Sequence, residues 1–521
     1  MNAAPLISIL TSFLLALALK AANRPNILLA IADDWSFGHA GAYGCQWVET
    51  PHFDRLANEG ILFLNAFTPN AKCAPSRATI LTGRYSWQLE EAGNHMAVFP
   101  PKFGGFVERL AAAGYQAGYT GKGWGPGIAN DSQGKRRLIT GKPYANRKLS
   151  PIARGISNID YAANFADFLQ DTKTGTPWVF WFGTLEPHRR YEYQSGVRLG
   201  KKLDQIDRVP GYWQDNEISR HDMLDYAIEV EHYDRHLGRI LEQLEQAGQL
   251  DQTLVVATSD HGMPFPRVKG QAYEHSNHIP LAIRWPEGIT GKGRTVTDFV
   301  NFSDLAPTFL EAAGDLDPGP IMQAMSGRSL FDIFSVNRSG QITAIRDHVL
   351  VGKERHDTGR PQDWGYPIRG IHKGDWLYLK NFEPGRWPAG NPETGYLNCD
   401  GSPIKSNILA MKRQGIHQSY WNLSFGKRPD EELYHLQTDP DCLTNLAGSS
   451  THAARKESLA RQMRSELTAQ GDPRMKGQGD RFDRYPFSDP RTANFYERTL
   501  SGNRPRAGWV NATDFEAGPL E

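Results

Sequence analysis

From Pro25 onward the chain alternates short apolar runs with amphipathic stretches. Asn26–Ala32 (NILLAIA) is unbroken and apolar, the length of a strand buried on both faces. Pro51–Glu59 reads as a helix, with Pro at its first position and Gly60 as its stop. Gly104–Ala113 reads as a second helix ended by Gly114, followed by a strand over Tyr115–Thr120. The alternation repeats with a helix over Asn158–Gln170 and a strand over Pro177–Gly183 (PWVFWFG). A long helix over Ser219–Ala247 carries Leu224, Ile228, Leu237, Leu241 and Leu244 at helical spacing. Strands follow over Thr253–Thr258 and Ile279–Trp285. Strands and helices in this order predict an α/β fold, a large and mainly parallel sheet sandwiched by helices. Ligands of such sheets bind at the carboxyl ends of the strands, which directs attention to the residues just past each apolar run.

Beyond about residue 340 the pattern changes. Short strands over His348–Gly352, Tyr366–His372 and Trp376–Phe382, then one amphipathic helix over Thr451–Leu467, predict a smaller α+β domain. The expected organisation is a main domain over 23–340, a C-terminal antiparallel sheet plus helix over 341–470, and a tail over 471–521. The tail is polar and rich in Gly, Pro and Arg, and is expected to wrap the surface in extended form or to be partly disordered. At the other end, Leu6–Leu19 (LISILTSFLLALAL) is an apolar run shorter than the ~20 residues that span a bilayer. Small residues follow it, so residues 1–22 read as a secretory signal peptide. The mature protein is then periplasmic or extracellular, with no membrane segment left once the signal is removed.

Charge narrows the partners. The 521 residues hold 58 Lys and Arg against 58 Asp and Glu, so a broad basic surface for nucleic acid is excluded. An anionic substrate has to be held by a local cluster. Four cysteines (Cys45, Cys73, Cys399, Cys442) are too few for a disulfide scaffold.

The chemistry sits where the sheet rule points. Asp33-Asp34 follows the Asn26–Ala32 run, and Asp260-His261 follows the Thr253–Thr258 run. Adjacent carboxylates at a strand end repel unless a cation or hydrogen bonds compensate. Two such ends in one sheet favour a hard divalent cation, Ca²⁺ first and Mg²⁺ second. Cys73-Ala74-Pro75-Ser76-Arg77 opens an apolar helical stretch, Ala78–Thr82, stopped by Gly83. The thiol therefore lies at a helix N-terminus, where free N–H groups favour an anion. Gly121-Lys122 is not a phosphate loop, because Gln116 and Gly123 break the required pattern.

Cys-x-Pro-Ser-Arg followed by a helix and Thr82-Gly83-Arg84 closely resembles the signature of the type I sulfatases of the alkaline phosphatase superfamily. The surroundings agree from about residue 24 to about 450: Arg24-Pro25-Asn26-Ile27, Thr50-Pro51, Gly118 to Lys122, Glu186-Pro187-His188, Thr258 to Gly262, and Glu432-Leu433-Tyr434. The resemblance implies an alkaline-phosphatase-like fold and conversion of Cys73 to Cα-formylglycine by a maturation enzyme. It implies sulfate-ester hydrolysis on sulfated carbohydrates through a sulfated hemiacetal. It assigns Asp33, Asp34, Asp260, His261 and residue 73 to the metal, and Arg77 to orienting the hydrated aldehyde. Lys122 and Lys269 are assigned to sulfate oxygens, and His188 to protonating the leaving group.

One departure stands out. Many sulfatases have Gly-Lys-x-His after this strand, whereas here Gly121-Lys122-Gly123-Trp124 places an indole, which takes no proton, at the fourth position. His95 and His39 are the candidate substitutes. Trp124, His95, His275 and His278 are expected on the substrate rim, with Trp124 stacking on a sugar face. Met263-Pro264-Phe265-Pro266 and Gly365-Tyr366-Pro367-Ile368-Arg369 look like the heparan N-sulfatase (sulfamidase) subgroup. The alternatives are a phosphodiesterase or phosphonate monoester hydrolase of the same superfamily, and an inactive glycan-binding homologue.

Overall fold

The computed structural model describes residues 24–315 and 319–520. The expected signal peptide over 1–22 lies outside the described residues. The main sheet has eight strands: β1 (Asn26–Ala32), β2 (Ile61–Phe63), β3 (Gln116–Gly121), β4 (Lys142–Pro143), β5 (Trp178–Gly183), β6 (Thr253–Ser259), β7 (Leu281–Arg284) and β8 (Arg294–Val296). Their spatial order is β8-β2-β7-β6-β1-β5-β3-β4. β6, β1, β5, β3 and β4 are mutually parallel, and β7 runs antiparallel to both its neighbours.

The unbroken apolar character of β1 has a direct cause. Leu28, Ala30 and Ala32 pack on one face with Phe180, Phe182 and the helix Glu217–Gln246. Ile27, Leu29 and Ile31 pack on the other with Val179, Trp181 and the helices Cys73–Thr82, Phe106–Ala112 and Leu305–Ala312. A strand covered on both sides has no polar face to display. The expected strands and helices of this domain all form, with ends shifted by a few residues, as hydrogen-bond assignments commonly are. The strands β2, β4 and β8 went unread. At two or three residues they are too short to carry a periodic signal.

The second sheet is antiparallel and follows chain order: His348–Lys353, Ile368–Lys373, Trp376–Asn381 and Glu431–His435. The helix Ala453–Ala469 packs on it through Leu459, Met463 and Leu467. Residues past 470 run as short helical turns whose Phe482 and Phe495 side chains are fully buried. Their anchor is ionic. Arg369 on the second sheet donates to both Asp472 carboxylate oxygens, at 2.6 and 3.0 Å, and to Glu354 at 2.7 Å. Arg369 and Asp472 are both 0% exposed. Removing Asp472 leaves two guanidinium N–H groups of the buried Arg369 without acceptors while Glu354 still pairs its charge, which costs about 1–3 kcal/mol. Asp472→Ala is therefore expected to lower unfolding stability by that amount in urea titration, and a change below 1 kcal/mol would contradict the anchor.

Candidate active site

Four neighbouring parallel strands deliver the site. Because Ala32 pairs with Ser259, the next residues, Asp33 and Asp260, emerge side by side. β5 leads through Thr184 into His188, and β3 ends at Gly121 just before Lys122. Asp34 adopts a left-handed conformation (φ 78°), which Asp tolerates better than most residues and which turns the chain sharply. From the other side the helix Cys73–Thr82 brings its first residue to the same point, and all ten of its residues are buried. Arg77 lies four residues on, hence on the same helix face as Cys73.

The side chains converge. Cys73 Sγ lies 3.4 Å from Asp33 Oδ1 and 3.5 Å from His261 Nε2. Arg77 Nε donates to Asp260 Oδ2 at 2.8 Å, and its fork also reaches the Lys122 and Gly123 carbonyls at 2.8 and 3.1 Å. Lys122 Nζ is 2.5 Å from Asp33 Oδ2. Lys269 Nζ lies between Asp34 Oδ2 at 2.5 Å and Asp400 Oδ2 at 2.8 Å. Ligand atoms of Asp33, Asp34, Cys73 and His261 all fall within 4.8 Å of one another, and so do those of Asp34, His188 and Asp400. Asp260 stands beside the first group, its carboxylate held by Arg77 and by the Asp34 amide at 3.1 Å.

Electrostatics sort these groups. Burial opposes ionisation of Asp33, but Lys122 and Arg77 overcome it and hold the carboxyl far below its usual range. Burial, then the charge of Asp33, pushes Asp260 up to about 7. Burial opposes protonation of His261, but Asp260 and Asp34 outweigh it and raise its pKa well above normal. The same location asks for a cation by geometry. His261 Nδ1 faces the Gly262 carbonyl at 3.0 Å, which directs Nε2 at Asp34 Oδ1, 2.9 Å away. Asp34 Oδ1 receives no well-aligned hydrogen bond. Two acceptors that close require a proton or a metal ion between them. Carboxylate oxygens with one imidazole suit a hard divalent cation.

A pocket of about 380 Å³ opens above Cys73, walled by Lys72, His95, Met96, Lys122, Leu185, His188, Asp357, Asp400 and Trp509 among others. The expected residues Cys73, Lys122, His188 and His95 line it, while Lys269 and Arg77 are buried beneath. Three rim expectations are corrected. His278 is buried, bonded to Glu274 at 2.6 Å and the Leu64 carbonyl at 2.8 Å, and stacked between Phe37 and Phe67. His275 lies 3.4 Å from Asp441 and lines a separate cavity that shares no residue with the pocket. Trp124 donates its indole N–H to the Ala74 carbonyl at 3.0 Å, packs at right angles to Phe99, and lines a neighbouring cavity that shares Lys122 with the pocket. Lys72, Asp357, Asp400 and Trp509 escaped the sequence reading. Only Lys72 carried a signal, its place beside Cys73; the others arrive from the second domain and the tail.

The relatives of a chain with this arrangement, a mixed sheet and a Cys at the start of a buried helix, identify it as a hydrolase of sulfuric esters. The chain belongs to the sulfatase family: the Sulfatase profile matches residues 25–315. Human N-sulphoglucosamine sulphohydrolase is 31% identical over 484 residues, 87% of this chain and 91% of that protein. An ulvan-active sulfatase of Formosa agariphila is 26% identical over 495 residues, 88% of this chain and 77% of that protein. Two solved structures share the fold at 19% identity. One, in complex with its substrate D-glucosamine-2-N,6-O-disulfate, aligns at TM-score 0.59 over 86% of this chain and 98% of that one. The other, a phosphonate monoester hydrolase of Agrobacterium radiobacter, aligns at 0.57 over 86% and 96%.

Arg77→Lys keeps the charge but loses the planar fork that ties Asp260 to two backbone carbonyls. It is expected to lower kcat by on the order of 10²-fold or more with the fold retained. A kcat within threefold of the parent, measured on an aryl sulfate, would show that the fork is dispensable.

Proposed function

We propose that this protein is a secreted sulfatase that removes sulfate from sulfated glycans. It depends on Ca²⁺, with Mg²⁺ as the alternative, and on Cys73 converted to formylglycine by a formylglycine-generating maturation enzyme. The observation that carries the reading is the meeting of Cys73 with Asp33, Asp34 and His261 at the floor of a pocket that Lys122 and His188 also line. A hydrated aldehyde at position 73 supplies a hydroxyl that attacks sulfur and a second hydroxyl that later releases sulfate. The relatives support the substrate class, since one is an N-sulphoglucosamine sulphohydrolase and another is active on ulvan. The pocket volume, about 380 Å³, falls in the range of small-molecule sites.

The chain's own groups then have definite tasks. Asp33, Asp34, His261 and residue 73 hold the cation, with Asp260 alongside. Arg77 fixes Asp260 and the backbone after β3. The Lys122 side chain, 16% exposed and lining the pocket, meets a sulfate oxygen as a compact charge. Lys269 adds positive charge from below and locks Asp34 and Asp400 in place. His188 Nδ1 is 2.7 Å from the Arg189 carbonyl, so its other nitrogen is free to donate a proton to the departing alcohol or amine. Secretion rests on the apolar run at residues 6–19.

Cys73→Ala is expected to reduce release of 4-nitrophenol from its sulfate ester to background, and peptide mass analysis of the active parent should show the aldehyde in place of the thiol. Undiminished turnover by the variant would sink the reading. Sulfate-ester turnover should also exceed that of phosphate diesters and phosphonate monoesters. Chelation with EDTA should abolish activity, and added Ca²⁺ should restore it. Full activity after exhaustive chelation would exclude the cation.

A further inference from the structure

We propose that His95, oriented by Asp357, is the base that takes the proton from residue 73 during turnover, an assignment that rests on the reading of residue 73 given above. His95 shares the wall of the pocket with Cys73. Its Nδ1 is 3.2 Å from Asp357 Oδ1 and 3.2 Å from the His356 carbonyl. A ring whose Nδ1–H is held by a carboxylate and a carbonyl presents a basic Nε2 on its other side. Nucleophile, imidazole and orienting carboxylate in sequence is the arrangement that activates hydroxyl and thiol groups across unrelated folds.

The dyad is built rather than incidental. The His95 amide donates to the Arg355 carbonyl at 3.0 Å, and the Arg355 amide returns a bond to Asn94 Oδ1 at 3.1 Å. Asn94 Nδ2 is anchored to the Phe482 carbonyl at 2.8 Å. His356 Nε2 meets Asn70 Oδ1 at 2.9 Å, which ties the Asp357 segment to the loop before Cys73. Lys72 Nζ lies 3.1 Å from Asp357 Oδ2. Asp357 is 2% exposed, and burial would neutralise it, but Lys72 and His95 hold it ionised.

The other imidazoles near the strand ends are committed elsewhere. His39 is turned toward the Tyr226 hydroxyl at 3.2 Å in the separate cavity, and burial takes its pKa down to about 3. His261 Nε2 also lies 3.5 Å from the Cys73 sulfur, but it is taken by Asp34 Oδ1 at 2.9 Å within the carboxylate cluster. His188 lines the same pocket but is grouped with Asp34 and Asp400. The indole of Trp124 takes no proton.

The step balances as follows. In the sulfated form of residue 73, the remaining hydroxyl gives its proton to His95 Nε2. The O–H electron pair becomes the second bond of a carbonyl. The carbon–oxygen bond to the sulfate group breaks, and its pair departs on sulfate. His95 then passes the proton to water, and a water molecule rehydrates the aldehyde.

The test uses the full-length mature enzyme and 4-nitrophenyl sulfate. His95→Ala should release one enzyme equivalent of nitrophenol rapidly and then turn over about 10²–10⁴-fold more slowly. Intact-mass analysis of the quenched protein should show sulfate covalently retained on the residue 73 peptide, and free imidazole should restore turnover. His95→Gln, which keeps a hydrogen bond to Asp357, should behave the same way if the alanine variant does not fold. Asp357→Asn, at a positioning residue, should lower kcat and KM together, leaving kcat/KM little changed, and should also accumulate sulfated enzyme. A kcat within threefold of the parent, or a slow variant with no sulfate retained, overturns the assignment while leaving the sulfatase reading intact. An active parent that carries an unmodified thiol at residue 73 overturns both.

Discussion

Three carboxylates, Asp33, Asp34 and Asp260, leave water at the ends of two adjacent parallel strands, and all are 0% exposed. Left alone they would repel one another at a cost no sheet could bear. Everything around them answers that repulsion. Arg77 is 0% exposed and spends its fork on Asp260 and on the carbonyls after β3. Lys122 and Lys269 neutralise Asp33 and Asp34 from opposite sides. His261 completes a set that calls for one further positive charge. The pairing of Ala32 with Ser259 sets this geometry, so the register of β1 against β6 is also the register of the chemistry. Groups locked by buried ion pairs cost little reorganisation when charge develops on a substrate.

The second domain is part of this site rather than an appendage. The strand His348–Lys353 runs directly into the segment that carries Asp357, and the Gly352 amide bonds the Pro69 carbonyl at 2.7 Å, a few residues before Cys73. Asp400 reaches Lys269 from a loop between two elements of the same region. Phe482, past residue 470, then holds the Asn94–His95 loop from behind. The pocket is a joint product of both sheets and the tail.

The parts of this design that obey local rules were legible in the sequence. Apolar runs gave the central strands, and the rule for strand ends located Asp33, Asp34, Asp260 and His261. The four-residue spacing of Cys73 and Arg77 placed both on one helix face. What stayed hidden depends on distant contacts. Nothing near Asp357 or Asp400 in the chain announces that a lysine from elsewhere keeps each ionised. His275 and His278 occur in a His-Ser-Asn-His string that looks like a polar loop, yet one ring is sandwiched between two phenylalanines and the other faces a different cavity. Trp124 follows Lys122 by two residues, but its indole turns back onto the helix that starts at Cys73.

Trp509 forms one wall of the pocket although it lies near the end of the chain. Its indole N–H is fastened to the Leu397 carbonyl at 2.8 Å, and its own carbonyl accepts from the Gly401 amide at 2.7 Å. The segment is secured by backbone bonds, one small apolar cluster and the fully buried Lys405–Asp514 ion pair at 3.1 Å. Occupancy of the pocket and seating of this segment are thus thermodynamically linked. Anything that fills the cavity against the indole tightens the chain terminus, and fraying of the terminus loosens whatever the cavity holds.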